Sequence, residues 1–339
     1  MSSFPVQHSV LAEGALSGLL AAAYDLPGPI RCRYISSSMN EVYAVDAGET
    51  RYYLRVSRSD WREPHELDAE VHLVDDLRLN GLPVAGPVQR RDRHHYVTYL
   101  PAPEGTRAVV LWHAAAGSDV ADLSMAQAVA FGKLAGRLHR VSDGIGPVYR
   151  RPGVALTDLV DEPMRHIRRV LDVAASRDAW RRLQVAADTV RQQITPLEDA
   201  GNTAVDRGLI HGDLHPGNVR FVGDAPTLFD FDLSGYGLRA YDLAVFRWNM
   251  ALDGRGERWV ASRWKGFLRG YASERAVPEA LETHLHAFLI ARMIWLMGLD
   301  AAGRSGFPPQ WVTPRAMQQM QVHIDRWLAE MQPDAATTA

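Results

Sequence analysis

The sequence LIHGDLHPGNVRF occupies residues 209–221, and LFDFD follows at residues 228–232. An apolar run comes directly before each polar cluster, which is typical of a buried strand that ends in a loop. We therefore expect the side chains of Asp213, Asn218 and Asp230 to project from strand ends and a loop into one cleft. The glycines and the proline in the first stretch favour a turn-rich loop over a helix.

These three side chains are the set that phosphoryl transfer from a nucleotide requires. A carboxylate positions the attacking hydroxyl and accepts its proton, and hard oxygen ligands hold Mg²⁺ against the phosphates. One aspartate, an amide five residues later and a second aspartate twelve residues beyond supply these parts. The pattern resembles the catalytic and metal-binding loops of protein kinases, where the metal-binding aspartate opens an Asp-Phe-Gly motif.

Two other interpretations of this stretch are weaker. His211 and His215 have the spacing of a zinc pair on a helix, as in a metallohydrolase, but the neighbouring glycines and proline disfavour a helix. A loop whose aspartates and asparagine only cap backbone groups would explain a single aspartate. It does not explain the whole stretch with a second aspartate cluster at a matching distance.

The residues before this stretch contain a β-rich part. It comprises a predicted hairpin, a helix and a further strand, at residues 41–46 with 51–56, 65–80 and 95–100. Glu70 lies within the apolar stripe of the predicted helix. A buried carboxylate at that position requires a cation nearby.

The sequence PAPEG at residues 101–105 predicts a linker between two domains. We therefore expect a nucleotide-binding N-terminal domain at residues 1–100. A mostly helical domain at residues 101–332 is expected to carry the catalytic loop, the metal loop and the acceptor site. The small and polar residues 333–339 predict a frayed tail. The predicted fold class is α+β, with a small β-sheet lobe and a larger helical lobe.

The composition of the 339-residue chain disfavours several classes of protein. The formal charge of −3, from 37 basic and 40 acidic residues, gives no polybasic footprint for nucleic acid or an anionic membrane. No apolar run approaches the roughly 18 residues of a membrane-spanning helix, and the N-terminus lacks a secretory signal. The single cysteine, Cys32, cannot form an internal disulfide, so a cytoplasmic setting is expected. A monomer is favoured, although the sequence does not determine the oligomeric state.

The sequence HGDLHPGN at residues 211–218, followed by DFD at 230–232, resembles the signature of the aminoglycoside phosphotransferase-like kinase superfamily, which includes choline-kinase-type enzymes. The sequence GYGLRAYDLA at residues 235–244 fits the same family. The resemblance covers most of the chain. It is nearest to the branch with stress-response Ser/Thr kinases, homoserine-kinase-like enzymes and antibiotic kinases. It implies a two-lobed protein-kinase-like fold.

The resemblance assigns roles to residues of the two polar stretches. It implies that Asp213 is the catalytic base and that Asn218 and Asp230 bind Mg²⁺. His211 is expected to brace the catalytic loop, and Asp242 to cap a helix or to tie down that loop.

Three further residues are implied as supporting groups. His215 belongs to the motif of the catalytic loop. Asp232 either approaches a second metal ion or orients the loop, and we favour the structural role. His139 also matches a family position, where we favour a packing role.

The nucleotide-binding end departs from the patterns of related kinases. The loop SSSMNE at residues 36–41 lacks the glycines of a protein-kinase phosphate loop. Side-chain hydroxyls and backbone N–H groups could line the phosphates instead, and the candidate residues are Ser36, Ser37, Ser38 and Asn40. The resemblance further implies that backbone groups near Tyr99 and Leu100 contact the adenine ring.

The strand lysine of the family is missing. The chain contains two lysines, Lys133 and Lys265, and the corresponding position holds Arg55. We predict that Arg55 forms an ion pair with Glu70 and reaches the nucleotide phosphates. Arginine keeps the positive charge of lysine but differs from it in length and planarity. The alternative is a solvated strand arginine.

The leading functional prediction is a kinase that uses Mg²⁺ and ATP, or GTP, to phosphorylate a hydroxyl of a small molecule. The favoured acceptor is an aminoglycoside or another amino-hydroxyl antibiotic, which implies resistance or self-protection, or a related metabolite. Asp158, Asp161 and Glu162 would suit a cationic acceptor, although a solvated helix terminus explains them equally well. Six of the nine tryptophans follow the catalytic stretch; we expect most in the core and one or two at the acceptor.

Two alternative functions stay open. One is a stress-response-type protein Ser/Thr kinase, which the short distance between Asp230 and Asp242 disfavours because it leaves no activation segment of protein-kinase length. The other is a nucleotide-binding pseudokinase. The substitution at Arg55 supports it, and the intact catalytic and metal-binding residues argue against it.

Overall fold

The computed structural model describes residues 6, 8–59, 61–145, 149, 151, 153–171, 176–200, 205–304 and 312–331. The chain divides into two compact units. The first contains the described residues within Met1–Asp119, Val148–Arg151 and Val219–Phe229, and the second contains those within Val120–Pro147, Pro152–Asn218 and Asp230–Ala339. The frayed tail predicted at residues 333–339 lies outside the described residues.

Strands and helices alternate irregularly along the described chain. The strands are β1 (Ile30–Ser37), β2 (Asn40–Ala47), β3 (Thr50–Ser57), β4 (Val97–Ala102), β5 (Gly105–His113), β6 (Gly153–Val154), β7 (Arg207–Ile210), β8 (Val219–Val222), β9 (Ala225–Leu228) and β10 (Gly235–Leu238). The α-helices are α1 (Glu13–Ala23), α2 (Pro64–Leu79), α3 (Met125–Ile145), α4 (Glu162–Val170), α5 (Arg177–Asp199), α6 (Arg239–Leu252), α7 (Glu257–Ala272), α8 (Glu279–Ala301) and α9 (Pro314–Glu330).

The first unit is built on a five-stranded antiparallel sheet in the order β1-β2-β3-β5-β4. Successive side chains of a strand point to opposite faces. Leu54 and Val56 of β3 therefore share a face, and they pack in a core cluster with α1. Leu67 and Val71 of α2 pack in a second cluster with apolar residues of β4 and β5. The predicted hairpin and helix are confirmed as β2–β3 and α2.

The predicted linker at residues 101–105 is wrong. β4 ends at Ala102 and β5 begins at Gly105, and the two strands are paired up to these residues. Turns and linkers use the same proline and glycine residues, so the composition of this stretch did not distinguish them. Pro101 is tolerated in β4 because this strand lies at the edge of the sheet. The first unit continues to Asp119, so the boundary predicted at residue 100 falls within a strand.

The second unit is mostly helical, and the two units together confirm the predicted α+β class. Its central helix is α8, which packs against α4, α5, α6 and α9. Residues 287–294 of α8 are all buried. Three short strands pair in the order β6-β10-β7. Among the helices that the structure describes, none is both long enough and apolar enough to cross a membrane.

Glycines allow α3 and α7 to approach each other closely. A Cβ atom on Gly132 of α3 would lie 1.9 Å from the carbonyl oxygen of Phe267, and one on Gly270 of α7 would lie 1.9 Å from the carbonyl oxygen of Val129. Each carbonyl belongs to the backbone of the facing helix, so it cannot move without shifting that helix. The contact therefore requires glycine at both positions.

We expect Gly132→Ala to lower the free energy of unfolding by about 2–3 kcal/mol, because overpacking a close contact carries a cost of this order. The matched control is Gly144→Ala in the same helix, where an added Cβ meets no atom within 4 Å. The control should leave stability unchanged or raise it by a few tenths of a kcal/mol. Urea denaturation of both variants measures the difference. An equal loss in the two variants would contradict the packing argument.

Candidate active site

The two polar stretches lie next to each other because the strands beside them pair. β7 leads into the first stretch and β10 follows the second, and Ile210 pairs with Gly235. Gly212 has a φ angle of +77°, and a Cβ atom there would lie 2.1 Å from the carbonyl oxygen of Leu233. Only glycine allows the loop to take this conformation at this distance.

Asp242, near the start of α6, holds the backbone of this loop. Its carboxylate accepts hydrogen bonds from the N–H groups of His211 and Gly212, both at 2.7 Å. Nε2 of His139 lies 3.0 Å from the same carboxylate, and Nδ1 of His139 lies 2.9 Å from the hydroxyl of Tyr271. Burial lowers the pKa of the His139 imidazole. Asp242 thus ties down the loop, which is one of its two predicted roles.

The His211 ring contacts both polar stretches. Its Nδ1 accepts a hydrogen bond from the N–H of Asp213 at 3.3 Å, and its ring centroid lies 4.5 Å from that of Phe231. The alternative of a zinc pair lacks the helix that it requires, because residues 211–215 are not helical. His215 instead accepts a hydrogen bond at Nδ1 from the N–H of Gly217 at 3.0 Å.

The carboxylate of Asp213 is surrounded by nitrogen donors. Its Oδ1 accepts a hydrogen bond from Nη2 of Arg292. Its Oδ2 accepts one from Nδ2 of Asn218 at 3.0 Å and lies 3.4 Å from Nε2 of His215. Burial opposes ionisation, but Arg292 and then His215 more than offset it and hold the pKa of Asp213 well below its usual range. The carboxylate is therefore ionised at neutral pH.

Arg292 is a site residue that the sequence analysis missed. It lies 79 residues from Asp213, so no local spacing connects the two. The signal that could have found it is its own position on α8, as a single arginine among the apolar residues of 287–294. An arginine in a helical segment that is buried on every side requires a carboxylate partner.

Asn218 and Asp230 offer oxygen atoms of the kind that Mg²⁺ prefers. The amide nitrogen of Asn218 donates to the main-chain oxygen and the carboxylate of Asp213, at 2.9 and 3.0 Å. The amide is planar, so its Oδ1 faces the other way and suits a cation. Asp230 is exposed and has a φ angle of +64°, a conformation that is uncommon for residues other than glycine and is found in turns and at functional sites.

Asn218 and Asp230 together offer only two side chains as candidate ligands for Mg²⁺. Among the described residues, no three His, Cys, Asp or Glu side chains converge as a metal site. One amide and one carboxylate suit Mg²⁺ where phosphate oxygens and waters complete the coordination. Asp232 is 2% exposed, which favours the orienting role over a second metal site.

The predicted phosphate loop is the tight turn between β1 and β2. Ser36 follows an irregularity in the strand register, and Ser37 ends β1. The N–H of Ser38 donates to the main-chain oxygen of Asn40 at 2.9 Å. Arg58 donates from Nη1 to the main-chain oxygen of Ser38 at 3.4 Å. The phosphate-binding role of this turn stays a prediction.

Tyr99 and Leu100 lie in β4 and not in a linker. They pair with Ala108 and Arg107 of β5. β4 is an edge strand, so some of its backbone N–H and C=O groups point away from the sheet. Such groups can bind the edge of a planar base, and the adenine contact stays a prediction.

The predicted ion pair between Arg55 and Glu70 is confirmed. Nη1 and Nη2 of Arg55 donate to the two carboxylate oxygens of Glu70, each at 2.7 Å. The guanidinium lies 5.1 Å from the ring of Trp112, and Nη1 of Arg151 is 3.5 Å from Glu70. Arg55 is buried, so it is not a solvated strand residue. Trp112 and Arg151 are partners that the sequence analysis missed.

We expect Asp242→Asn to lower the free energy of unfolding by about 3 kcal/mol, because an amide cannot accept from both loop N–H groups and the histidine as a carboxylate does. Hydrogen exchange at residues 211–212 should become faster in the variant. The control is Asp188→Asn, which removes an exposed ion pair with Arg191 and should change stability by less than about 0.5 kcal/mol. Unchanged exchange in Asp242→Asn would show that other contacts hold the loop.

Related sequences match this chain over 45% to 90% of its length. The model of the phosphotransferase enzyme family, APH, matches residues 31–277. An uncharacterized protein of Deinococcus radiodurans is 35% identical over 313 residues, which are 90% of this chain and 86% of that protein. A homoserine kinase of Methylobacterium sp. is 33% identical over 181 residues, which are 45% of this chain and 54% of that protein.

Solved structures share the fold at low sequence identity. An amicoumacin kinase in complex with AMP-PNP and Ca²⁺ has a TM-score of 0.75 at 20% identity and covers 94% of each chain. A microcompartment-associated aminopropanol kinase has a TM-score of 0.73 at 21% identity, over 94% of this chain and 98% of that one. A spectinomycin phosphotransferase in complex with ADP has a TM-score of 0.66 at 15% identity, over 94% of this chain and 95% of that one.

These likenesses confirm the predicted kinase-like fold. The family match rests on more than the central motif, because residues 31–277 include both the sheet of the first unit and the catalytic loop. The chain belongs to the phosphotransferase enzyme family, and it is a phosphotransferase of the kinase type.

Proposed function

We propose that this enzyme transfers the γ-phosphoryl group of ATP to a hydroxyl of a small molecule, with Mg²⁺ as the divalent cation. The observation that carries the proposal is the 3.0 Å contact between Nδ2 of Asn218 and the carboxylate of Asp213. It places the group proposed to receive the hydroxyl beside a group proposed to bind the cation. GTP in place of ATP is the alternative donor.

In this proposal Asp213 accepts a hydrogen bond from the acceptor hydroxyl and takes its proton as the new O–P bond forms and the bond from the γ-phosphorus to the leaving ADP breaks. Its low pKa makes it a weak base that is always ionised, so its main contribution is to orient the hydroxyl. Asn218, through Oδ1, and the carboxylate of Asp230 would hold Mg²⁺. The bound cation would neutralise the charge of the phosphates.

The nucleotide contacts are proposed from the first unit. Glu70 holds the guanidinium of Arg55 in one orientation through two hydrogen bonds of 2.7 Å. We propose that this guanidinium faces the phosphates, as the missing lysine would. Serine hydroxyls and N–H groups of the β1–β2 turn, and backbone groups of β4, complete the proposed contacts. The amicoumacin kinase and the spectinomycin phosphotransferase were solved with AMP-PNP and ADP, which supports nucleotide binding.

The acceptor is proposed to be an amino-hydroxyl compound, either an antibiotic such as an aminoglycoside or a related metabolite. Structures of similar fold are named for amicoumacin, aminopropanol and spectinomycin. A protein acceptor is less favoured, because the chain between Asp230 and Asp242 forms only a turn, β10 and the start of α6. Phosphorylation of an antibiotic would protect the cell that makes or meets it.

We expect Asp213→Asn to lower kcat by about 10³-fold, because an amide lacks the negative charge that orients the hydroxyl and cannot take its proton. The affinity for ATP should stay within about threefold, since the side chain is proposed to contact the acceptor and not the nucleotide. ADP release with a panel of amino-hydroxyl compounds and with protein substrates measures the change. The control is Asp224→Asn in the exposed turn between β8 and β9.

The same assay separates the alternative functions. Transfer to one small molecule supports the proposal, and transfer only to protein supports a protein kinase. Tight nucleotide binding by wild-type enzyme without transfer to any acceptor would indicate a pseudokinase.

We expect Arg55→Ala to weaken ATP binding by about tenfold or more and to reduce turnover, because a charge beside the phosphates is lost. Arg55→Lys should recover part of both. The matched control is Arg51→Ala, which removes an exposed arginine of the same strand that pairs with Asp46. Calorimetry with AMP-PNP, together with circular dichroism to verify folding, measures the effect. Wild-type ATP affinity and turnover in a folded Arg55→Ala protein would reject the role.

A further inference from the structure

Arg292 places a fixed positive charge beside the proposed catalytic carboxylate. Its Nη2 donates to Oδ1 of Asp213, and its Nη1 lies 3.5 Å from the main-chain oxygen of Gly212. The side chain is 5% exposed, so solvent and salt screen this charge only weakly. Asp213 therefore already has a counter-ion, so an ammonium group of the acceptor would gain less by binding it.

Two tryptophans hold the guanidinium in place. Its carbon Cζ lies 4.3 Å from the ring centroid of Trp295, about one turn further along α8, and 5.2 Å from the ring of Trp248 on α6. The Tyr241 side chain is a further close neighbour of the guanidinium. Stacking on aromatic rings suits the flat guanidinium better than an ammonium group. The charge is thus held in one position by residues of two helices.

Two N–H groups in this stack have no hydrogen-bond partner within the part of the chain that the structure describes. They are Nε of Arg292 and Nε1 of Trp248, and both are closed off from solvent. Buried polar groups are nearly always paired in native proteins. An oxygen acceptor, from a water molecule or from an anion such as a carboxylate, would satisfy such donors, whereas an ammonium group has only donors itself.

Two of the three acidic residues that would suit a cationic acceptor, Asp161 and Glu162, are paired with arginines; Asp158 accepts a hydrogen bond from the N–H of Ala155. Nε of Arg191 donates to Asp161 at 2.8 Å, and Nη2 of Arg165 donates to Glu162 at 3.1 Å. Their negative charge is partly offset by these arginines, although Arg191 also pairs with Asp188. They do not outweigh the cation at Asp213.

We infer that Arg292 selects the acceptor by charge, and that the acceptor carries a carboxylate or another anion close to the hydroxyl that is phosphorylated. The inference rests on the proposed function, since it takes Asp213 as the group that receives the hydroxyl. The guanidinium has five N–H donors and can bind Asp213 and an anion together. An aminoglycoside would instead bring ammonium groups against a fixed cation. Within the amino-hydroxyl class, zwitterionic compounds are therefore favoured over cationic ones.

Pairs of hydroxyl compounds that differ only in a carboxylate test this inference. The pairs are L-homoserine with 3-amino-1-propanol, L-threonine with 1-amino-2-propanol, and L-serine with ethanolamine; kanamycin serves as a polycation. Full-length enzyme, ATP and Mg²⁺ are used, and ADP release is measured. Wild-type enzyme should favour the carboxylate member of the best pair by about tenfold or more in kcat/KM, mainly through KM.

Variants of Arg292 test whether this residue causes the preference. Arg292→Gln should reduce it to less than about threefold, and Arg292→Lys should keep part of it, because lysine retains the charge without the planar fork. KM for ATP should change little in both. The control is Arg326→Gln, which removes an arginine 5.9 Å from the ring of Trp327 on α9 and should leave the preference unchanged. If Arg292→Gln does not fold, the inference is tested by the ratio of kcat/KM between the two members of a pair, measured in wild-type enzyme and in Arg292→Lys.

The outcomes separate this inference from the proposed function. Equal or better use of the amines or of kanamycin by wild-type enzyme overturns the inference and leaves a small-molecule kinase. A preference that persists in folded Arg292→Gln also overturns it. Where no compound is phosphorylated, calorimetry on the AMP-PNP complex decides: tighter binding of the carboxylate member supports the inference, and equal or weaker binding overturns it. A carboxylate preference in binding, without transfer to any hydroxyl compound, overturns the proposed function alone.

Discussion

The buried carboxylate of Asp242 is the group on which the catalytic loop depends. It receives the N–H groups of His211 and Gly212 and contacts a ring nitrogen of His139. Removing a carboxylate from water is costly, and these hydrogen bonds offset the cost. One side chain of α6 thereby connects the loop to α3. The loop can then hold Asp213 in one position although it has no regular secondary structure of its own.

Each unit fixes a charge with the same combination of groups. A buried arginine binds a carboxylate, and its guanidinium lies against one or two indole rings, as in the pairs Arg55–Glu70 and Arg292–Asp213. A buried ion pair gives little net stability, because desolvation offsets most of the attraction. It does give a charge with a defined position. This fits a chain with only two lysines, since the planar guanidinium can bind a carboxylate and an aromatic face at once.

The positive charge of Arg292 bears on the charge of the acceptor, for which the sequence alone allowed a cation. Three acidic residues allowed a cationic acceptor, but Asp161 and Glu162 pair with arginines of the protein. The guanidinium of Arg292, which is close to Asp213, lies against aromatic rings. Tryptophans after the catalytic stretch therefore hold a charge in position, in addition to packing in the core. The charge that we propose for the acceptor rests on the electrostatics of the site more than on its general fold.

Local patterns predicted much of this protein. The pair between Arg55 and Glu70 was predicted from the resemblance to kinases with a strand lysine and a helix glutamate, together with the alternation along β3 and the helical spacing along α2, which backbone geometry sets. Proline and glycine at residues 101–105 were misleading, since a hairpin turn and a linker use the same residues. The edge position of β4 follows from the order of the strands, which local composition does not contain.

The sequence by itself determined the α+β class and the phosphotransferase family. It also determined the spacing of Asp213, Asn218 and Asp230, because these three residues lie within one short stretch of chain. Only the tertiary structure decided which side chain balances Asp213. Arg292 is 79 residues away on α8, and a contact over that separation depends on how α8 packs against α6 and the loop. Helical periodicity shows that a position is buried, but it does not show which partner the buried side chain meets.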